Sequence, residues 1–304
     1  MSSFSNGLFS LADNLIGKLF GGFIICWHDL SSDIFIKQVE SLYPAKPIPL
    51  KELVKRHTMG LSTQGLFAMT FDDGVGETVR NISQTCIKKG WPVTFYIPTD
   101  YIDNGVMPFQ KLGVINDFLP NDEYLLPNNT NKEVPYKLNK DQIIELLSRS
   151  LYTERLEFLN HILNFYIDKI SELKIIDNIE DQYPKPIEWA EISKYSKYSN
   201  LSFQSHGASH AAVVSLNNNE IENEMLRSKN IIQENTNRDV HSFCYPYGAS
   251  QSISKEARIL ASKYFDSAVT LLPARLRNAN PYYLPRIDLY EKNSALVSRL
   301  KVFR

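Results

Sequence analysis

Short apolar runs rich in β-branched and aromatic residues alternate with longer stretches of helical period, and this alternation constrains the fold more than any other feature of the sequence. Phe23 to Trp27, Leu66 to Phe71, Val93 to Ile97, Leu201 to Ser205, His241 to Tyr245 and Ser267 to Leu271 have the length and composition of strands. Between them the helical period appears at Phe35, Val39 and Leu42, at Val79, Ile82 and Cys86, at Ile221, Met225 and Leu226, and around Ile253 to Tyr264. Parallel strands joined by crossover helices close into a barrel or an open doubly wound sheet, and the number of units over this length favours an α/β barrel. With 304 residues, 43% of them apolar, the chain has material for a sizeable core, and residues 1–304 are expected to form one barrel domain.

The rhythm breaks at about 101–200. Pro120 to Pro135 is rich in asparagine, proline and charge and reads as a loop. After it, Ile143, Leu147 and Leu151, then Leu156, Leu159, Leu163, Tyr166 and Ile170, form helical stripes interrupted near Thr153. This stretch is expected to be a mostly helical insertion after the third strand, serving as a substrate wall or packing against the barrel.

Lysine plus arginine is 33 and aspartate plus glutamate is 34, so no net field draws phosphate backbones, and nucleic acid is not an expected partner. The three cysteines, Cys26, Cys86 and Cys244, form no close pair, which argues against a disulfide framework and for a reducing compartment. Leu8 to Trp27 is fairly apolar, but Asp13 and Lys18 interrupt it and no cleavage-site pattern follows an unbroken apolar core. Leu8, Leu11, Leu15 and Leu19 read instead as an amphipathic lead-in helix. The expectation is a cytoplasmic protein without a transmembrane segment, although that helix could rest on a membrane surface.

Chemistry-bearing residues cluster at the carboxyl ends of the expected strands, where α/β folds place their sites. The run Phe67-Ala68-Met69-Thr70-Phe71 leads straight into Asp72-Asp73-Gly74. Adjacent carboxylates at a strand end repel each other, and a cation or a proton-transfer task accounts for them; taken alone, Asp-Asp-Gly is also good turn sequence. Ser205-His206-Gly207-Ala208-Ser209-His210 follows another strand and can aim both imidazoles at one ion, although taken alone such a pair is as often chance or surface placement. One carboxylate with these two histidines makes a three-ligand set with open positions, as catalytic zinc requires. Phe243-Cys244-Tyr245-Pro246-Tyr247-Gly248 is a rigid turn that could present a backbone N–H to an oxyanion, and by itself also an ordinary turn.

In this order, the Thr70-Phe71-Asp72-Asp73-Gly74 block, the His206 and His210 pair and the Tyr245-Pro246-Tyr247-Gly248 turn resemble the polysaccharide deacetylase family, the NodB-homology or family-four carbohydrate esterases, over about Gly22 to Leu289. The resemblance implies a distorted (β/α)7 barrel that holds zinc or a similar divalent ion and hydrolyses the N-acetyl group of an amino sugar. Asp73, His206 and His210 would be the metal ligands, Asp72 the general base, and the Tyr247 N–H an oxyanion donor. Zinc is favoured, with cobalt, nickel or iron as alternatives.

The chain departs from the family pattern in three places. Gly207 stands where a Ser or Thr is usual, and no arginine precedes the third motif, so Arg286 of Leu284-Pro285-Arg286-Ile287-Asp288 is the candidate for the charge beside Asp72. No histidine follows His241 to act as the catalytic acid. His28, in Ile24-Ile25-Cys26-Trp27-His28-Asp29, resembles the amino-terminal aromatic-His-Asp element of the circularly permuted branch, and is expected to take that role; a histidine that merely caps the strand is the bland alternative. His57, His161 and His241 lack partner motifs and are read as structural, Trp189 as core, and Cys26 and Cys244 as strand residues rather than nucleophiles.

The expected activity is therefore metal-dependent removal of an N-acyl group from an amino sugar. With no leader visible, the expected substrate is a nucleotide- or lipid-linked precursor of surface glycan, or a polysaccharide. Two other classes remain open at this level: a catalytically inactive glycan-binding barrel, and a nucleotide-sugar transferase using Asp72 and Asp73 on a metal diphosphate without need of the histidines.

Overall fold

The barrel is laid down by parallel strands whose alternate residues face opposite layers. The computed structural model describes residues 21–125, 137–176 and 178–290, so the amphipathic lead-in at Leu8 to Leu19 lies outside the described residues. The strands are β1 (Phe23–Trp27), β2 (Lys46–Pro47), β3 (Leu66–Phe71), β4 (Val93–Ile97), β5 (Glu123–Leu125), β6 (Lys137–Asn139), β7 (Leu201–Ser205), β8 (Ser242–Cys244), β9 (Ser267–Val269) and β10 (Ile287–Asp288). The main sheet runs β10-β1-β3-β4-β7-β8-β9, with β2 also on β3, and every pairing in it is parallel. Leu284 bridges Val269 of β9, and Ile287 pairs with Ile25 of β1, so one short segment ties the two edges together. The result is a curled, distorted β/α barrel.

Along β1, β3, β4 and β7 the residues Trp27, Phe71, Phe95 and Phe203 point to the helical layer. Their rings form a ladder with centroids 5.2, 5.8 and 5.3 Å apart. The same row pairs in register, Trp27 with Phe71, Phe71 with Phe95 and Phe95 with Phe203. Each large ring excludes water from one face of the sheet and pins the register, because a slip of one residue would turn the ladder inward. Alternate residues such as Ile24, Ala68, Tyr96 and Cys244 fill the interior instead.

Helices α1 (Ser32–Glu40), α2 (Leu50–Thr58), α3 (Gly76–Lys89), α9 (Asn218–Thr236) and α10 (Lys255–Tyr264) carry the outer layer. Each termination is local. Gly90, at φ 66°, closes α3 in the left-handed conformation that glycine adopts without penalty, and Asn217 caps α9 by accepting from Asn219 and Glu220 N–H.

Between β4 and β7 the chain builds α4 (Thr99–Asn104), α5 (Pro108–Phe118), the antiparallel pair β5–β6, α6 (Lys140–Thr153), α7 (Leu156–Glu172) and α8 (Trp189–Tyr195). Ile115, Ile143, Leu147, Leu163, Tyr166 and Ile170 bury one another in a core separate from the barrel's. Of the loop expected at Pro120 to Pro135, residues 126–135 lie outside the described residues, and the described part holds β5, whose Tyr124 pairs with Leu138; its solvent-facing, polar neighbours hide the strand from a composition argument. The strand expected at Ser267 to Leu271 ends at Val269, because the Leu271 N–H turns away to the Gly248 carbonyl at 2.8 Å. Among the described residues no helix is long and apolar enough to cross a membrane.

Candidate active site

β3 delivers Asp72 and Asp73 to the carboxyl end of the barrel, and a tight turn separates their directions. Asp72 N–H donates to Trp27 O at 3.0 Å, and Gly74 N–H reaches back to Asp72 O at 2.9 Å. This fold-back puts Asp73 at φ 71° and Gly74 at φ 71°, two consecutive left-handed residues. Gly76 is needed for a different reason: a Cβ there would lie 2.7 Å from Pro186 O, on the segment that returns from the inserted helices and makes an isolated bridge to Val75.

Asp73 faces the two histidines. His206 Nε2 is 3.5 Å and His210 Nε2 3.4 Å from Asp73 Oδ1, and all three side chains are buried. His206 Nδ1 lies 2.9 Å from the Cys244 carbonyl, which can only accept, so the proton sits on Nδ1 and the Nε2 lone pair faces Asp73. The imidazole planes cross at 88° with centroids 4.8 Å apart, so the two lone pairs converge from different sides.

These residues fit a divalent metal ion. Two donors bound tetrahedrally at about 2.0–2.1 Å are about 3.3–3.4 Å apart, close to the two separations across Asp73 Oδ1 and longer than a well-formed hydrogen bond. His210 Nδ1 is buried with no hydrogen-bond partner among the described residues, so packing of the Tyr247 and Phe109 rings, rather than a hydrogen bond, orients this imidazole. Asp73, His206 and His210 form one of the three His/Cys/carboxylate groupings in the described residues that could hold an ion. The donor set, one carboxylate and two imidazoles, suits zinc and its neighbours.

Asp72 turns into the barrel interior and meets Arg286, which arrives with the segment that joins the sheet edges. Arg286 Nη1 donates to Asp72 Oδ1 at 2.7 Å and Nη2 to Oδ2 at 2.6 Å, a bidentate pair with both side chains at 1% exposure or less. Arg286 Nε also donates to Thr270 O at 2.8 Å, and Nη1 to the Thr70 hydroxyl at 3.0 Å. Burial pushes the Asp72 carboxyl up, but the Arg286 charge, its hydrogen bonds and the nearby imidazoles together outweigh it and leave Asp72 far below the usual range. Cys26 and Cys244 place their sulfurs 3.5 and 3.4 Å from Asp72 Oδ2. Burial raises both thiols, so they stay protonated strand residues.

His28 stands at the end of β1 with its side chain 34% exposed, Nε2 3.9 Å from Asp72 Oδ2 and Nδ1 3.7 Å from Asp288 Oδ1. It therefore lies between two carboxylates at the rim. Tyr247 occupies the turn after β8 at φ 62°, and among the described residues its N–H meets no acceptor. The structure thus gathers the seven residues singled out from the sequence, Asp72, Asp73, His206, His210, His28, Tyr247 and Arg286, at one end of the barrel.

Two further contributors carry no motif. The inserted helices close one side: Tyr152 of α6 packs on Tyr247 with ring centroids 4.9 Å apart, Tyr247 on His210 at 4.9 Å, and Phe109 of α5 on His210 at 5.3 Å. On an amphipathic helix such aromatics look like ordinary core. Glu224 of α9 lies under the histidine loop; its one sequence signal is a carboxylate between Ile221 and Met225, on the buried stripe of the helix.

A family model described as polysaccharide deacetylase matches residues 62–264, more than half of the chain. The chain belongs to that family. Solved deacetylases share its fold at low identity. A polysaccharide deacetylase from Bacillus cereus aligns with TM-score 0.56 and 13% identity over 93% of this chain and 68% of its own. The Streptococcus pyogenes deacetylase PplD, solved with acetate, aligns with TM-score 0.57 and 12% identity over 91% of this chain and 95% of its own. IcaB from Ammonifex degensii aligns with TM-score 0.56 and 13% identity over 92% and 97%. No curated protein matches the chain. Membership of the polysaccharide deacetylase family supports a hydrolase that deacetylates glycan. In this deacetylase-family chain the matched range holds the Asp72, Asp73, His206, His210 and Tyr247 positions, whereas His28 and Arg286 reach the site from outside it.

Proposed function

We propose that this polysaccharide deacetylase family member is a metal-dependent N-deacetylase of amino-sugar glycans. The observation that carries the reading is the convergence of His206 Nε2 and His210 Nε2 on Asp73 Oδ1 beside the Asp72–Arg286 pair. Asp73, His206 and His210 would hold the metal, zinc by preference. When bound there, such an ion supplies Lewis-acid polarisation of the amide carbonyl and activation of water.

The protein's own groups account for the proton movements. Asp72, kept ionised and aimed by Arg286, accepts the proton of the attacking water as the new C–O bond forms. The Tyr247 N–H donates to the oxygen on which negative charge develops. The C–N bond then breaks, and His28 gives a proton to the departing nitrogen, so that the products are a free amine and acetate. Tyr152, Tyr247 and Phe109 wall the site on the inserted-helix side and exclude water there. This reading carries with it the chain order of the permuted branch, in which the strand bearing the acid histidine opens the domain.

The test is metal content and acetate release from N-acetylglucosamine oligomers. The native chain is expected to carry close to one metal ion and to release acetate, while Asp73→Ala and His206→Ala lose both. Asp72→Asn is expected to keep the metal and to lose turnover by about 10²–10⁴-fold, the usual size of a general-base contribution. Full activity in Asp72→Asn would remove Asp72 from the mechanism, and metal bound without hydrolysis across acylated sugars would favour a glycan-binding role on the same barrel.

A further inference from the structure

The loop between the two histidines has no regular secondary structure, yet each of its three residues is held. Glu224 Oε2 accepts Ala208 N–H at 2.9 Å and Ser209 N–H at 2.8 Å, and Oε1 accepts the Ser209 hydroxyl at 2.9 Å. From the other side, Thr99 N–H donates to Gly207 O at 3.3 Å and Asp100 N–H to Ala208 O at 2.8 Å. Arg227 connects the two clamps, pairing with both carboxylate oxygens of Asp100 at 2.7 Å and lying 3.9 Å from Glu224 Oε1. Among the described residues no other side chain bonds to the N–H groups of Ala208 and Ser209.

Gly207 makes this arrangement possible. It sits at φ 76°, and a Cβ on it would lie 3.2 Å from Glu224 Oε2 and 3.6 Å from Pro246 Cγ. A side chain at 207 would press on that carboxylate, so the glycine leaves the room in which Glu224 reaches the loop. Glu224 is itself only 8% exposed. A carboxylate is costly to bury, and here Oε2 is spent on two backbone N–H groups that have no other side-chain partner among the described residues.

We propose that Glu224 is a positioning residue that sets the separation and facing of His206 and His210, and through them the affinity for the metal. This rests on the metal-site reading given above. Its action is by hydrogen-bond reach rather than by charge: the carbonyl oxygen of a glutamine in the same place can still accept both N–H groups, whereas an aspartate is shorter by one methylene and cannot reach them.

Cobalt(II) titration of the metal-free protein tests this, with visible absorption reporting ligand geometry and circular dichroism the fold. Glu224→Gln is expected to bind cobalt within about threefold of the native chain and with the same spectrum, while Glu224→Asp weakens binding by about 10–100-fold, the usual cost of losing a group that orients a metal ligand. A residue that only stabilised the fold would lower the melting temperature of Glu224→Asp and leave the affinity and spectrum of the folded fraction unchanged. Native-like binding by both variants, or equal losses in both, overturns the positioning role. If Glu224→Asp does not fold, Ser209→Ala, which removes the hydroxyl bond alone, takes its place: weaker binding with an altered spectrum supports the role, and an unchanged titration overturns it. A native chain that takes up no cobalt sinks the metal-site reading itself, and the positioning role with it.

Discussion

At the scale of single residues, the site is a set of charges that balance only in pairs. Asp72 and Arg286 are both removed from water, and each is worth burying only because the other is present. Arg286→Met is therefore expected to destabilise the fold by about 3–5 kcal/mol, the cost of leaving a buried charge unpaired; urea unfolding followed by circular dichroism measures it, and a loss under 1 kcal/mol would mean that Asp72 finds another partner. A second titratable residue acts far from the chemistry. Burial, then the Lys51 ammonium, lowers the His241 imidazole from 6.5 to about 4. The folded chain thus keeps His241 neutral where the unfolded chain protonates it, so its contribution to stability is intact above pH 6.5 and is lost as pH falls from 6.5 to about 4. His241→Gln should flatten the slope of melting temperature against pH in that window, and an unchanged slope would assign the acid sensitivity to other groups.

The candidate site residues were legible because the motifs are contiguous: Asp72-Asp73 and the His206–His210 pair sit at strand ends that apolar runs announce. Backbone conformation was not legible. Asp73, His210 and Tyr247 each adopt a positive φ, at 71°, 58° and 62°, and nothing in their residue types requires it. Non-glycine residues held there are strained and persist where the surroundings over-determine them. Glu224 was missed for a related reason, since its partners are backbone groups that only the folded loop presents.

At the scale of elements, strands buried on both faces were read to the residue, as with Leu66–Phe71 and Val93–Ile97, because such strands are continuous apolar runs. The break between α6 and α7 was equally plain from the stripes on either side of Thr153. Two-residue strands such as β10 carry no periodicity to detect, and β5 is polar on its exposed face. The inserted helices bear on the site through Tyr152 and Phe109, so disturbing their core should be felt at a distance. Leu163, fully buried in that core, is expected on replacement by alanine to cost about 2–5 kcal/mol. Tyr152→Leu keeps the apolar bulk but removes the ring pair with Tyr247, a loss of about 0.5–1.5 kcal/mol. Thermal unfolding checks both, and equal melting temperatures for native and Leu163→Ala proteins would contradict the packing described.

For the whole molecule, rigidity at one end of the barrel links binding to folding. An ion held by Asp73, His206 and His210 binds only the folded chain, so zinc at about 100 times its dissociation constant should add about 2.7 kcal/mol to stability. Calorimetry with and without chelator is expected to show a higher melting temperature for the loaded protein and no difference for Asp73→Ala. A zinc-independent melting temperature in the native chain would mean that the three donors do not act as one site.

The segment from Leu284 to Asp288 contacts both β9 and β1, and it brings Arg286 with it. Synthesis runs from the amino end, so Asp72 emerges long before its guanidinium does, and the interior charge can be neutralised only when the final seam closes. Completion of the walls and pairing of the Asp72 carboxylate are one event. A nascent or clipped chain lacking that seam would be left holding Asp72 without its guanidinium in an open cup.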